Sequence, residues 1–252
     1  MNTMKMMGIA TSATLAVALL AGCPGTDLPT GTTPGAGSPE ITGRITKNNN
    51  PVEGRTVFLK KFLGDEGSFA NGSKVEGVTA KTDSSGRFVL PVPADAANAG
   101  GMFGVGYDAT NADPKNISAG TLTDEIQWFT SPAINLSTKT GKTVSVNFDL
   151  AWNAAAFSPS NGAAVQGPNV TFTLPEKSGA TEYEIDVRKG KVAGTGASAF
   201  SEKKVERTFT WEGATAGEYI YQAKVFLPSG IAGITSNQAA SPWSTFTVTG
   251  AQ

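Results

Sequence analysis

A single thiol and three aromatic side chains are the groups whose type and placement invite chemistry or binding in this chain. The thiol is Cys23, the one cysteine among 252 residues, directly behind Leu20-Ala21-Gly22. A lone thiol after small residues suits covalent attachment of a group, and it excludes an internal disulfide. The chain has no histidine, which excludes a Ser-His-Asp triad, a Cys-His pair and any imidazole base. A structural zinc site draws its ligands from cysteine and histidine and is excluded with them. No metal or other cofactor is expected. The aromatics are the adjacent pair Trp128-Phe129 and Trp243. Neighbours on a strand point to opposite faces, so one ring of the pair can serve as a stacking platform or interface anchor; the alternative, which is favoured, is that one fills the core and the other packs under the 100–124 loop.

Other arrangements carry less. Gly104-Val105-Gly106 has the spacing of a phosphate loop, with Ala109 at the third glycine position. The segment reads as a strand ending at Asp108, so no helix follows to receive a phosphate. Asp83-Ser84-Ser85-Gly86 is too short for a calcium loop. Asp65, Glu66, Asp124 and Glu125 could form a weak calcium site but read rather as solvated loop charges, and no Asp/Glu pair is marked for glycoside hydrolysis.

The element that positions the thiol starts with Lys5 and continues as an apolar stretch from Met6 to Leu20. That stretch is too short to span a bilayer and ends in the small residues Ala21 and Gly22, the pattern of a signal peptide. Leu20-Ala21-Gly22-Cys23 resembles the bacterial lipobox. The resemblance implies diacylglycerol transfer to Cys23, cleavage before it, and two or three acyl chains such as palmitate as a stable anchor. Pro24 rather than Asp follows the cysteine, which by analogy with enterobacterial lipoprotein sorting favours the outer membrane where the cell has one. Residues 23–39 hold four prolines, four glycines and four threonines. They cannot bury a core and read as a flexible tether.

Hydrophobic residues make up 39% and charged residues 16%, with 30 glycines and 14 prolines. That balance suits an all-β protein. Removing residues 1–22 takes away one cation, Lys5, and no acid, so the formal charge of −1 falls to −2. With no run of like charge, no nucleic-acid partner is expected. The length admits two domains, placed at 40–152 and 153–252 as tandem immunoglobulin-like β-sandwiches.

In the first, Asn48-Asn49-Asn50-Pro51 and Asp83-Ser84-Ser85-Gly86 are turns. Phe88, Leu90 and Val92 share a face, as do Val144, Val146, Phe148, Leu150 and Trp152. Residues 41–92 resemble carboxypeptidase regulatory-like domains through Gly43, Ile45, Pro51, Gly54, Val57, Leu59, Thr82, Asp83, Gly86 and Phe88. The resemblance implies a small non-catalytic sandwich. Related adhesin domains join a lysine to an asparagine, and Lys47 and Asn147 raise that idea here. Val146 and Phe148 flank Asn147 on the buried face, so Asn147 points to solvent and away from such a bond.

In the second, Val170, Phe172 and Leu174 alternate. Tyr183, Ile185 and Val187 point inward, with Glu182, Glu184, Asp186 and Arg188 outward. Phe209 aligns with Trp211; Tyr219, Tyr221, Ala223 and Val225 share a face; Phe246 and Val248 end the pattern. Gly190 to Ser201 reads as a mobile hairpin loop. The order is similar to a fibronectin type III-like domain, with Trp211, Tyr219 and Tyr221 in the core. Trp243 is out of phase with Phe246, which admits a bulge or an exposed position.

The expected function is that of a non-enzymatic membrane-anchored lipoprotein presenting two sandwich modules. They would bind an envelope protein or other envelope component, or act as a spacer. The alternative is a carbohydrate-binding accessory lipoprotein that uses Trp128, Phe129 or Trp243 on a polysaccharide.

Overall fold

A computed structural model of the protein describes residues 38–109, 124–192 and 196–250. The signal segment, the Leu20-Ala21-Gly22-Cys23 motif and the tether as far as residue 37 lie outside the described residues. Among the described residues no helix is long and apolar enough to cross a membrane.

The chain is all-β and builds sandwiches. The first part runs β1 (Glu40–Lys47), β2 (Asn50–Pro51), β3 (Thr56–Phe62), β4 (Ser73–Lys81) and β5 (Arg87–Pro91). The short helix α1 (Ala94–Asn98) leads to β6 (Met102–Asp108), β7 (Trp128–Thr130), β8 (Ile134–Asn135), β9 (Thr143–Ser145) and β10 (Phe148–Asp149). The second part holds β11 (Ala163–Gln166), β12 (Val170–Thr173), β13 (Glu182–Lys189) and β14 (Ser198–Lys204). It ends with β15 (Thr208–Trp211), β16 (Gly217–Pro228), β17 (Ser236–Ala240) and β18 (Ser244–Thr249).

Turn chemistry sets the path of the first part. Asn48 and Asn49 have φ of 51° and 65°, so β1 folds tightly onto β2, with Lys47 opposite Asn50. Two successive positive φ values match the twist of a hairpin, and asparagine tolerates them. At the next turn the Asp83 carboxylate accepts from the backbone N–H of Ser85 and Arg87, each at 2.9 Å. Gly86 follows with φ 75°, and a Cβ there would sit 2.4 Å from the Ile45 carbonyl oxygen. The strands on either side of this turn join different sheets. β4 pairs with β3 and β5 pairs with β1, because Phe88 and Leu90 must face the opposite layer.

One layer centres on β1, flanked by β5 and β2 on one side and by parallel β9 and β10 on the other. The other layer has the order β4-β3-β6-β7. Between them Phe129 stacks on Phe148 with ring centroids 3.9 Å apart and planes 8° from parallel. In the second part the β12–β15 pair covers a sheet containing β14, β13, β16, β18 and β11. Phe172 stands edge-on to Phe246 at 5.5 Å and to Tyr221 at 5.3 Å. The Tyr221 hydroxyl donates to the Pro159 carbonyl at 2.5 Å, and burial pushes its phenol well above the ordinary range.

The large sheets of the two parts are continuous. β16 outlasts β18 and turns back as β17, and β17 pairs with β7 through Phe129↔Ala239. One inward row therefore crosses the seam: Val57, Tyr107, Phe129, Ala239, Val225 and Tyr183 are cross-strand partners in sequence. None of these six is more than 4% exposed. All described residues belong to one compact unit. The seam itself is a short 3-10 turn at Ala154–Ala156. There Trp152 packs edge-on against Phe157 at 5.1 Å and its indole N–H donates to the Pro175 carbonyl at 3.1 Å.

Two local readings change. Of the expected loop from Gly190 to Ser201, residues 193–195 lie outside the described residues, and Ser198 onward is strand, paired with β13 through Val187↔Phe200 and Asp186↔Ser201. Asp186, expected to face solvent, is 7% exposed, because the Arg188 guanidinium closes over it at 2.9 Å.

Candidate binding surface

Phe129 was expected as a possible exposed platform and is corrected by its surroundings. It is 1% exposed and clamped on Phe148, so a ligand cannot reach it. Trp243 is corrected too. It lies out of phase with Phe246, as the sequence indicates, but it is only 8% exposed. It packs with Ile220 on the outer side of the sheet, and the Arg188 guanidinium sits 5.7 Å from its ring centroid. Trp128 alone of the three is half-buried on the outer face. Its cross-strand neighbours are Asp108 and Ala240.

The surroundings of Trp128 contain residues that the sequence did not mark. Phe58, Lys60 and Phe62 alternate on the outward phase of β3, opposite Gly106, Gly104 and Met102 of β6. The Phe58 ring lies over Gly106, where a Cβ would come within 2.2 Å of its edge. Over Gly104 a Cβ would meet Ser131 Oγ at 2.5 Å, the Pro132 carbonyl at 2.7 Å and the edge of the Phe62 ring at 2.9 Å. Gly104-Val105-Gly106 is thus strand, as read from the sequence, and its glycines are a floor for two aromatic rings. The signal was present in the aromatics of β3 and the paired glycines of β6. It becomes legible only once those two strands are known to be neighbours.

Lysines sit above these rings. The Lys74 ammonium is 5.3 Å from the Phe58 centroid and that of Lys60 is 5.2 Å from the Phe62 centroid. Lys60 also donates to the Thr130 hydroxyl at 3.0 Å, and the Thr130 hydroxyl in turn donates to the Ser131 carbonyl at 3.0 Å. Burial holds the Lys60 pKa below the usual lysine value. Thr130 stands on the same face of β7 as Trp128.

A second charged group lies at the seam side of the first sandwich. Lys47 reaches Asp124 at 2.9 Å and Glu125 at 3.0 Å, and Arg55 reaches both oxygens of Glu125 at 2.9 Å. The hydrogen bond from Lys47 holds the Asp124 pKa down, and its own rises in return. Asp124 and Glu125 are therefore engaged in ion pairs rather than simply solvated, and Lys47 points to them rather than to the exposed Asn147. Tyr107 lies nearby with its hydroxyl buried and unpaired among the described residues, and burial pushes its pKa up to about 12. Glu66, also read as a loop charge, pairs with Lys139 at 2.8 Å. Among the described residues no three His, Cys, Asp or Glu side chains cluster to hold a metal.

A shallow depression of 380 Å³ is lined by Arg44, Thr46, Asn147, Phe148 and Asp149. Its carboxylate is already used: Asp149 accepts from Thr46 Oγ1 at 2.6 Å and from the N–H groups of Asn49 and Ala151 at 3.0 and 2.9 Å. The outward face around Trp128, Phe58, Lys60 and Lys74 is the better candidate, since its cations have no carboxylate partner among the ion pairs of the described residues.

No protein-family model matches this chain. No curated protein matches it either. Among solved structures it is similar to a DUF3823 family protein from Bacteroides uniformis ATCC 8492. Identity is 11%, the alignment covers 84% of this chain and 100% of that one, and the TM-score is 0.28. At that TM-score the likeness carries no functional argument.

Proposed function

We propose that this chain is a non-enzymatic, membrane-anchored lipoprotein that holds a rigid pair of β-sandwiches clear of the bilayer to bind an envelope component. The observation that carries the reading is the joint. β17 of the second sandwich completes the sheet of the first through β7, and the Lys177 ammonium crosses to the Asp149 and Ala151 carbonyls at 2.8 Å each. Flexible modules on a string would not need such a joint. A body that presents one continuous sheet face does.

The anchor rests on Leu20-Ala21-Gly22-Cys23 behind a charged and then apolar start, with Pro24 favouring the outer membrane. Layers centred on β1 and on β3–β6 support a carboxypeptidase regulatory-like first sandwich. The β12–β15 pair over the β13–β16–β18 sheet supports a fibronectin type III-like second one. The lack of histidine supports a binding role over catalysis.

Metabolic labelling with palmitate tests the anchor. Wild-type chain should carry label and fractionate with membranes, and Cys23→Ala should lose both. Unchanged membrane fractionation of Cys23→Ala would overturn the reading. The carbohydrate-binding alternative keeps one of its three aromatics, Trp128.

A further inference from the structure

Lys60 and Lys74 are directly opposed across the antiparallel β3–β4 pair. Like charges in that position destabilise a sheet. Elsewhere on the same sheet face the charges alternate in sign: Lys203 holds Glu182 at 2.7 Å and Lys224 holds Glu184 at 2.5 Å. Neither Lys60 nor Lys74 has such a partner among the ion pairs of the described residues, and Asp108 lies four residues along β6 from the Lys60 row. The Phe58 and Phe62 rings and the Thr130 hydroxyl offset part of that cost, but no counter-charge among the described ion pairs does, and a like-charged pair left without one marks a functional position.

What these lysines face is equally specific. An ammonium has three donors, and Lys60 spends one on Thr130. It is partly withdrawn from water, so an arriving anion is attracted more strongly than at an open surface. Beside the lysines, Phe58 lies on Gly106 beneath the Lys74 ammonium, Ser131 and Pro132 close over Gly104, and Trp128 is half-buried two strands away. A half-buried indole on this outer face offers an apolar surface to a ligand with both C–H and hydroxyl groups.

The geometry points to a binding site for an acidic polysaccharide on the outer face of β4-β3-β6-β7, with Lys60 and Lys74 on its carboxylates and Trp128 against its sugar rings. This names a ligand class for the presenting body and so rests on the proposed function, but not on the anchor. Charge density decides between polyanions. A nucleic acid carries one charge per about 1.7 Å and is held by many cations. An anionic bilayer is typically read by clusters of about 4–8 lysines and arginines. Two lysines in a chain of net charge −1 match the sparser charge of a polymer with one acid per sugar.

The test uses the whole chain carrying Cys23→Ala, so that its outcome is separate from the palmitate experiment. Polygalacturonate is titrated against it by tryptophan fluorescence and calorimetry, with neutral dextran, inorganic phosphate and phosphatidylglycerol vesicles as comparison probes. Binding of polygalacturonate but not dextran is expected, weakening with added salt. Lys60→Gln and Lys74→Gln should each lower affinity about tenfold, which corresponds to about 1.4 kcal/mol. Trp128→Ala should lower it and remove much of the fluorescence response. Lys74 is exposed, so Lys74→Gln remains readable if Lys60→Gln fails to fold. Absence of polygalacturonate binding, or undiminished binding by Lys74→Gln, would overturn the site. A Lys74-dependent response to vesicles or phosphate with none to polygalacturonate would overturn the ligand class.

Discussion

Lys177 and Asp149 meet across the seam between the two sandwiches. The Lys177 ammonium donates to the Asp149 main-chain carbonyl at 2.8 Å and lies 3.7 Å from its carboxylate. Lys177 is only 3% exposed, rare for a lysine. A second carbonyl, that of Ala151, completes its environment at 2.8 Å, and its own N–H donates to the Tyr183 hydroxyl at 3.1 Å. Burial lowers the Lys177 pKa and the Asp149 carboxylate partly restores it. The two carbonyls belong to the end of the first sandwich, so this one side chain ties its last strand to the second.

Lys177→Met keeps the length of the side chain and removes the charge. It leaves two carbonyls without their donor at a site where water has little access. A loss of about 2–4 kcal/mol in unfolding free energy is expected, measured by urea denaturation of the whole chain. A neutral substitution would mean that the β7–β17 pairing holds the seam unaided.

The Asp149 carboxylate gives the seam a pH dependence. Burial pushes its pKa up, but hydrogen bonds from Thr46, Asn49 and Ala151 and the nearby Lys177 charge bring it below the ordinary value of 3.8. The folded pKa lies under the unfolded one, so its contribution is complete above about 3.8 and is lost as pH falls through the folded pKa. Asp83 and Asp124 are lowered too and act in the same direction. Thermal melts between neutral pH and strong acid should show an acid limb that Asp149→Asn makes shallower. At neutral pH that variant should lose about 1 kcal/mol, since solvent screens a carboxylate that is only partly buried. An unchanged acid limb would remove Asp149 as its source.

Alternation made much of each sandwich legible. Val144, Val146, Phe148, Leu150 and Trp152 share a parity and are all buried, as are Val170, Phe172 and Leu174. A period of two reports which face is covered, but not which strand lies alongside. The β7–β17 pairing joins segments more than a hundred residues apart, and Ser236-Asn237-Gln238-Ala239-Ala240 has little alternation to announce a strand. Lys177 carries no sequence signal of its burial, because a cation in a loop reads as solvated.

The proposed binding face is illegible in the sequence for a related reason. Outward Phe58 and Lys60 look like ordinary surface residues beside inward Val57 and Leu59. The like-charged pair exists only in the β3–β4 register, and the glycine floor only in the β3–β6 register. Trp243 shows the converse. Its parity against Phe246 is plain in the sequence, but Arg188 and Ile220 cover the face to which it points.

The two residues of the Trp128-Phe129 pair should separate cleanly by experiment. Phe129→Ala removes a ring that is 1% exposed and stacked at 3.9 Å on Phe148, at the point where β7 joins β6 to β17. A cavity in that position should cost about 3–5 kcal/mol, read as a lower denaturation midpoint. Trp128→Ala removes a half-buried ring from the opposite face, where solvent fills the space, and should cost less than about 1.5 kcal/mol. Its main effect should instead be on ligand binding, with Phe129→Ala at low temperature retaining affinity in whatever fraction remains folded. Equal destabilisation by the two variants would show that Trp128 is core rather than binding surface, and would remove the aromatic half of the proposed polysaccharide site.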